Sequence, residues 1–257
     1  KNKNGLTMEK RTDKNLYTML FAIGMVIVVG SLLAFVASSL RPKIDENKRI
    51  EKQQNILYAM GVNENDESSA VFVADDKVGA EFQKYITNQL VITNGTEVKE
   101  DSEAYLIDVK KEQSAAKDGD ERRLPLFVGK KDGKTFYIAP IRGKGLWDAV
   151  WAYVAMDENM VIQGAYFDHQ GETAGLGANI KQRFFMDDFI GEHLMNESGN
   201  FVGVNVSKSN NDPLNNDKTD NEVDAIAGAT ITGDGVAAML RSDLKLYVPY
   251  FKTLKNN

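Results

Sequence analysis

Residues 16–40 run for 25 positions without a single charged side chain. An α-helix rises about 1.5 Å per residue, so this run reaches roughly 37 Å and exceeds the ~30 Å hydrocarbon core of a bilayer. The apolar stretch of a cleavable signal peptide is shorter, about 7–15 residues. The run therefore predicts an uncleaved transmembrane helix, with residues 1–15 as an N-terminal tail.

Charge is distributed unevenly on the two sides of this run. Residues 1–40 carry five Lys/Arg against two acidic residues, whereas the remainder carries 26 basic against 35 acidic residues. So acidic a domain is poorly suited to a phosphate backbone, which argues against nucleic acid as a partner. Five basic residues also follow the run, between 41 and 52, so charge alone does not fix the orientation. A short tail before a first anchor favours the tail inside and the domain outside.

The absence of cysteine and the scarcity of histidine exclude several kinds of site. The chain has no cysteine, which excludes disulfides, thiolate-held iron–sulfur clusters, attached c-type haem and cysteine zinc sites. The two histidines, His169 and His193, match no local metal motif. We therefore expect no metal site.

Beyond the anchor, residues 41–78 predict a charged connecting helix and a loop, and residues 79–257 predict one domain. Apolar spacing predicts helices and strands, and polar composition predicts a surface loop. The predicted helices are 79–91, 180–194 and 234–254, the strands are 104–110, 124–130, 135–141, 149–156, 160–167 and 201–207, and the loop is 205–220. Because helices and strands mix without βαβ alternation, the fold class is α+β, with a twisted, largely antiparallel sheet flanked by helices.

Three glycine-rich segments carry the features of a ligand site: GKGLW (143–147), GETAGLG (171–177) and DAIAGATIT (224–232). Glycines let the backbone approach a planar ligand, and a tryptophan packs against a ring. Backbone N–H groups in such loops, and at the start of a helix, bind anions. Each segment taken alone also fits an ordinary turn, with Thr232 or Asp234 as the helix N-cap.

In this order, behind one membrane helix, the three segments resemble the NqrC family, whose members are subunits of the Na⁺-translocating NADH:quinone oxidoreductases. The related electron-transport protein RnfG shares part of the pattern. The third segment resembles the flavinylation signal D-x-x-[S/T]-G-A-T, in which a flavin transferase of the ApbE type joins the phosphate of FMN to the final threonine. The resemblance implies that Thr230 is the covalent acceptor, Asp224 the acidic position, Gly228 and Ala229 the small pair, and Thr232 a second hydroxyl.

The first two segments fall where this family holds its flavin. The resemblance assigns Gly145, Leu146 and Trp147 to one wall of the FMN pocket, and Glu172, Thr173, Gly175, Leu176 and Gly177 to a loop against the flavin. Two positions depart from the pattern. Ala227 replaces a serine or threonine of the signal, and Ala174 replaces a proline, which frees one φ angle of the loop.

The resemblance implies a membrane-anchored flavoprotein subunit whose FMN-binding domain spans residues 79–257. It would relay electrons from NADH towards quinone within a hetero-oligomeric complex that exports Na⁺, with no catalytic residue and no NADH or quinone site of its own. Its location would be the bacterial inner membrane, single-pass, with the FMN domain on the periplasmic side. The alternatives are an RnfG-like protein between ferredoxin and NAD⁺, and an anchored binding module without redox chemistry, whose glycine loops are only turns.

Overall fold

The computed structural model describes residues 15–66, 70–209, 212 and 214–255, and the chain divides into two compact units, Lys1–Lys48 and Arg49–Asn257. The long helix α1 (Asn15–Ala59) includes the whole uncharged run. Large apolar side chains between residues 16 and 40 are exposed, and the most apolar window of α1 has a mean hydropathy of 2.7. By length and composition α1 is able to cross a membrane, and among the described residues no other helix is. Most of the predicted tail lies outside the described residues.

The second unit is built on a six-stranded antiparallel sheet in the order β2-β1-β3-β4-β5-β6. Its strands are β1 (Ile86–Thr93), β2 (Glu97–Glu100), β3 (Leu124–Lys131), β4 (Lys134–Lys144), β5 (Ala149–Met156) and β6 (Ile162–His169). Two short strands, β7 (Asn205–Val206) and β8 (Glu222–Val223), pair in parallel elsewhere in the unit. The predicted α+β class and the largely antiparallel sheet are confirmed.

The predicted hairpin between residues 149 and 167 is also present. Strands β5 and β6 pair with Tyr153 opposite Tyr166, and β5 has the predicted bounds. Asp157 closes the turn, because its Oδ1 accepts from the backbone N–H groups of Asn159 at 2.8 Å and Val161 at 2.9 Å. Strand β6 begins two residues later than predicted.

Two predictions before the hairpin were wrong. The predicted helix 79–91 is the shorter α2 (Val78–Tyr85), and the chain continues directly into β1. Its apolar spacing also satisfies the two-residue period of a strand, and tertiary pairing with β3 decides for the strand. The predicted strand 104–110 is a 3₁₀ turn (Ala104–Leu106) followed by α3 (Val109–Lys117), whose N-cap Asp108 accepts from the N–H of Lys110 at 3.0 Å.

Three further predicted elements differ from the structure. The predicted helix 180–194 is a 3₁₀ turn (Gly177–Lys181), the single turn α4 (Arg183–Met186) and a second 3₁₀ turn (Asp187–Phe189). Within the predicted strand 201–207 only β7 is regular. The C-terminal helix is α5 (Thr230–Leu244), continued by a 3₁₀ turn (Lys245–Tyr247) and α6 (Val248–Leu254), so it starts four residues before the predicted position.

Strand β4 extends beyond its neighbour β3, whose last partner on β4 is Ile138. Side chains take the place of a strand along the edge that follows. Arg142 N donates to Asp243 Oδ2 at 3.1 Å, and Gln113 Nε2 donates to Arg142 O at 2.5 Å. The buried Asp243 also accepts from both terminal nitrogens of Arg122, at 3.1 and 3.0 Å. Side chains of α3 and α5 thus satisfy both backbone groups of Arg142 on this edge.

Helix α5 approaches β4 so closely that only glycine fits at the contact. A Cβ atom at Gly235 would lie 2.3 Å from the carbonyl oxygen of Lys144, and one at Gly143 would lie 2.6 Å from Met239 Cβ. Core residues with real Cβ atoms do not reach such distances, so these two glycines set the spacing between helix and strand.

One carboxyl group is fully buried away from this contact. Glu192 has no solvent exposure; its Oε1 accepts from Asn215 Nδ2 at 3.1 Å, and its Oε2 has no partner among the described residues. Burial raises the pKa of Glu192 to about 7, although Asn215 and Lys218 favour its charged form.

Candidate functional site

The three glycine-rich segments meet at the carboxylate of Glu172. This side chain is buried in the loop that follows β6. Its Oε1 accepts from Trp147 N at 3.0 Å, and its Oε2 accepts from Thr232 Oγ1 at 2.6 Å. One carboxylate therefore joins the loop between β4 and β5, the loop after β6 and the first turn of α5. We call this arrangement the Glu172 link.

Two of the predicted glycines enclose this carboxylate. A Cβ atom at Gly145 would lie 2.5 Å from Glu172 Oε1, and one at Gly177 would lie 2.5 Å from both Glu172 Oε2 and Thr232 Oγ1. Both contacts are far shorter than van der Waals distance. These two glycines thus give space to the buried carboxylate, and their contact with a flavin stays a prediction.

The charge of Glu172 is stabilised where it lies. Burial alone would raise the pKa of Glu172, but the hydrogen bonds from Thr232 and from the backbone of Trp147 and Asp148 more than offset this, so that its pKa lies below the usual value of 4.5. The carboxylate is therefore ionised at neutral pH. Both carboxylate oxygens already accept hydrogen bonds from the protein. Direct contact between Glu172 and a flavin stays a prediction.

Around this link, four large apolar side chains remain exposed. Trp147 is 67% exposed and Ile231 58%, and they are joined by the 43%-exposed Leu146 and the 41%-exposed Leu176. We call these four the apolar patch. A hydrogen bond orients the Trp147 ring, because its Nε1 donates to Thr173 Oγ1 at 3.2 Å. Exposed apolar groups on an ordered scaffold are typical of a binding surface.

The backbone beside the patch is shaped by further glycines. Gly228 has a φ of +71°, and a Cβ atom there would lie 2.8 Å from Leu176 Cδ2. Gly175 has a φ of +77°. Both positions use the left-handed region that favours glycine.

Thr230 is exposed and is the first residue of α5. The preceding Ala229 provides no side-chain cap, and the first intrahelical bond runs from Gly233 N to Ala229 O at 2.9 Å. The predicted caps, Thr232 and Asp234, were therefore wrong: Thr232 lies inside the helix and donates to Glu172 instead. An uncapped helix start of this length presents free N–H groups and partial positive charge to an anion.

The structure does not bring Asp224 into the Glu172 link. Its backbone N donates to Asp188 Oδ2 at 2.9 Å, and partial burial together with the charges of Asp188, Asp212 and Glu222 raises the pKa of Asp224. The prediction that Asp224 serves recognition by a transferase stays a prediction.

One contributor to the link was not predicted from the sequence. His169, set aside as a metal ligand, accepts from Glu172 N through Nδ1 at 3.1 Å. The feature of the sequence that indicates this contact is the short spacing, because His169 lies at the end of β6, three residues before Glu172. Within the described residues no group of three or more metal-binding side chains occurs.

Comparisons with known proteins identify the family of this chain. Residues 145–245 match the family described as FMN-binding domain, and this range contains the Glu172 link, the apolar patch and Thr230. The NqrC protein of the Na(+)-translocating NADH-quinone reductase from Pseudomonas aeruginosa is 30% identical over 240 residues, covering 87% of this chain and 88% of the relative. The corresponding protein of Vibrio alginolyticus is 28% identical, covering 89% of this chain and 90% of the relative.

Solved structures show the same fold. The crystal structure of the NqrC protein of the Na(+)-translocating NADH-quinone reductase from Parabacteroides distasonis has a TM-score of 0.69 at 33% identity, covering 82% of this chain and 96% of that one. Shewanella oneidensis NqrC has a TM-score of 0.65 at 23% identity, covering 82% of this chain and 99% of that one, and it supports the fold alone. The chain belongs to the NqrC family, whose members are subunits of the Na⁺-translocating NADH-quinone reductases.

Proposed function

We propose that this chain carries FMN covalently on Thr230 and relays electrons inside a Na⁺-translocating NADH-quinone reductase. The observation that carries the proposal is the position of Thr230, an exposed hydroxyl at the uncapped start of α5 beside the apolar patch. The FMN-binding domain match and the names of the relatives support the same cofactor and the same complex.

The residues present fit the cofactor. A phosphate esterified to Thr230 Oγ1 would lie at the start of α5, where the free N–H groups and the helix dipole stabilise negative charge. The absence of a side chain at Gly228 lets Leu176, a member of the apolar patch, pack against the backbone just before α5. The apolar patch offers Trp147 and Leu146 to a planar ring system.

The protein's own contribution is positioning, because FMN when bound supplies the redox chemistry. The Glu172 carboxylate fixes the loop of Trp147 to the helix that bears Thr230 through hydrogen bonds of 3.0 and 2.6 Å. The tether would keep the cofactor on the chain however weak its reversible binding. We propose no NADH, quinone or Na⁺ site on this protein, and assign those steps to the other members of the complex.

Maturation would require a flavin transferase of the ApbE type, with Asp224 as part of its recognition signal. Ala227, where the signal has a serine or threonine, is exposed, so a hydroxyl there is not required by the packing of the domain. We further propose that α1 anchors the chain in the bacterial inner membrane and that the FMN domain lies on the periplasmic side.

The experiment that tests the proposal compares full-length wild type with Thr230→Ala, co-expressed with an ApbE-type transferase. After denaturation, wild type should fluoresce as a flavoprotein on a gel, and a peptide spanning residues 224–236 should carry the mass of one FMN less one water. Thr230→Ala should lose both signals. Thr230→Ser, which keeps a hydroxyl, should regain some label.

The matched control is Thr87→Ala, which removes an exposed threonine hydroxyl from β1. It should label like wild type. Covalent flavin on Thr230→Ala would refute the acceptor assignment. A colourless wild type, made beside a known substrate that the same transferase labels, would favour the anchored module without redox chemistry.

A further inference from the structure

A second concave site lies beside the edge of β4 that β3 leaves uncovered. It is a cavity of about 470 Å³ between α3, α5 and the end of β4. Six of its lining residues are charged or polar, and they are Gln113, Lys117, Arg122, Arg142, Lys144 and Asp243. We call it the basic cavity.

The only acidic group among these lining residues is already used by the protein. Asp243 accepts from Gln113 Nε2 at 3.0 Å, from Arg142 N at 3.1 Å and from both terminal nitrogens of Arg122. The Arg122 and Asp243 charges compensate each other, with side-chain exposures of 17% and 5%. This pair forms a rigid floor, since each group is held by several bonds.

Three cations then remain without an anionic partner among the described residues: Lys117, Arg142 and Lys144. Arg142 and Lys144 are two positions apart on β4, so their side chains leave the same face of the sheet. Lys117 reaches the cavity from the last turn of α3. The local excess of three positive charges stands out in a chain whose residues 41–257 are acidic overall.

We infer that the basic cavity binds a small molecule bearing phosphoryl groups with at least two negative charges. A single carboxylate would compensate only one of the three cations, whereas a pyrophosphate group compensates two or three. Arginine pairs with phosphoryl oxygens in a bidentate manner, and lysine adds a mobile point charge. The volume exceeds that of one phosphate and lies in the range of small-molecule clefts, about 300–1,000 Å³.

This inference is independent of the FMN proposal, because none of the residues lining the basic cavity belongs to the Glu172 link or to the apolar patch. The two sites are nevertheless neighbours along the chain, since Lys144 directly precedes Gly145. Failure of one assignment would leave the other untouched.

The test titrates inorganic pyrophosphate, ADP and adenosine into the full chain in neutral detergent, without divalent metal, by isothermal titration calorimetry. Pyrophosphate and ADP should bind one-to-one, and adenosine should not bind. The double variant Arg142→Gln/Lys144→Gln should weaken binding about tenfold or more, since a charge-assisted hydrogen bond is lost at each position.

The matched control is Lys130→Gln/Lys134→Gln, which removes two exposed lysines near the β3–β4 turn and so the same net charge. It should bind within about twofold of wild type. Equal loss in both double variants would show non-specific attraction and overturn the proposal. So would binding of adenosine alone, or the absence of saturable binding of pyrophosphate and ADP to wild type.

Discussion

The substitution Thr232→Val isolates the bond that fixes α5 to the loop after β6. Valine preserves the shape of threonine but removes the hydroxyl that donates to Glu172 Oε2 at 2.6 Å. Both side chains are buried, so water does not replace the lost donor. We therefore expect the flavin-free domain to lose stability although no apolar contact is removed.

The magnitude follows from the chemistry of the bond. A hydrogen bond to a charged group contributes about 1.5–3 kcal/mol, and leaving a buried acceptor unpaired forfeits it. We take about 2 kcal/mol as the central value, and a domain of this size loses about 2–4 °C per kcal/mol. The midpoint of thermal unfolding should therefore fall by roughly 4–8 °C. The pKa of Glu172 should also rise, because Thr232 is one of the groups that lower it.

This rise gives the substitution a pH signature. A carboxyl group whose folded pKa lies below 4.5 contributes stability above that pH, and the contribution is lost as pH falls through the folded value. The difference between wild type and Thr232→Val should therefore be full at pH 7 and shrink below about pH 4.5.

Thermal unfolding followed by circular dichroism, on chains made without a flavin transferase, measures both effects. The control is Thr135→Val on β4, where the threonine side chain makes no hydrogen bond within the described structure. It should unfold within about 2 °C of wild type. If Thr232→Val unfolded with Thr135→Val at pH 7, the Glu172 link would contribute nothing measurable, and the reasoning would be wrong.

Three further predictions rest on stability. Burial raises the pKa of Glu192 to about 7, so the free energy of unfolding should fall by on the order of 2–3 kcal/mol as pH rises from 4.5 through 7. In urea titrations, Glu192→Gln should flatten this pH dependence. An unchanged dependence would contradict the assignment of Glu192 as a buried acid. Gly235→Ala places a Cβ atom 2.3 Å from a β4 carbonyl oxygen and should lower the free energy of unfolding by about 1–3 kcal/mol. Its control, Gly79→Ala in α2, has nothing within 4 Å of the new Cβ and should raise that free energy by about 0.5–1 kcal/mol. Equal unfolding midpoints for the two variants would refute the close approach of α5 to β4. Asp243→Asn leaves Arg122 without its counter-charge and should cost about 3–5 kcal/mol by chemical denaturation, while a loss below about 1 kcal/mol would show that the pair does not secure the β4 edge.

The sheet was the most predictable part of the fold. Residues 124–156 alternate or run apolar between clear turn signals, so the strands from β3 to β5 have nearly their predicted bounds. The segment 104–110 alternates equally well, yet Asp108 caps a helix there. A local period does not reveal which competing local bond the chain will form.

The site was predictable in its parts but not in its connections. Spacing and resemblance indicated the three segments, whereas the bond between Glu172 and Thr232 spans 60 residues of sequence and exists only through the packing of α5 on β4. Thr232 donates to Glu172 from inside the helix, which begins two residues earlier at Thr230, so Thr232 does not serve as the cap. Nor did charge counting indicate the basic cavity, since its cations come from α3 and β4 and are diluted in an acidic chain.

The double attachment of α5 has a consequence for the order of assembly. Its first turn is fixed by Glu172 and its last turn by Asp243, and neither contact involves a cofactor. The conformational entropy lost in ordering the site is thus lost during folding and not during flavin attachment. On the proposed function, a chain that never meets its transferase would still fold and would still present its surfaces to neighbouring proteins of the complex. Such a complex would be fully assembled but unable to transfer electrons through this protein. Flavin loading would then set the fraction of complexes that are active, without altering the number that assemble.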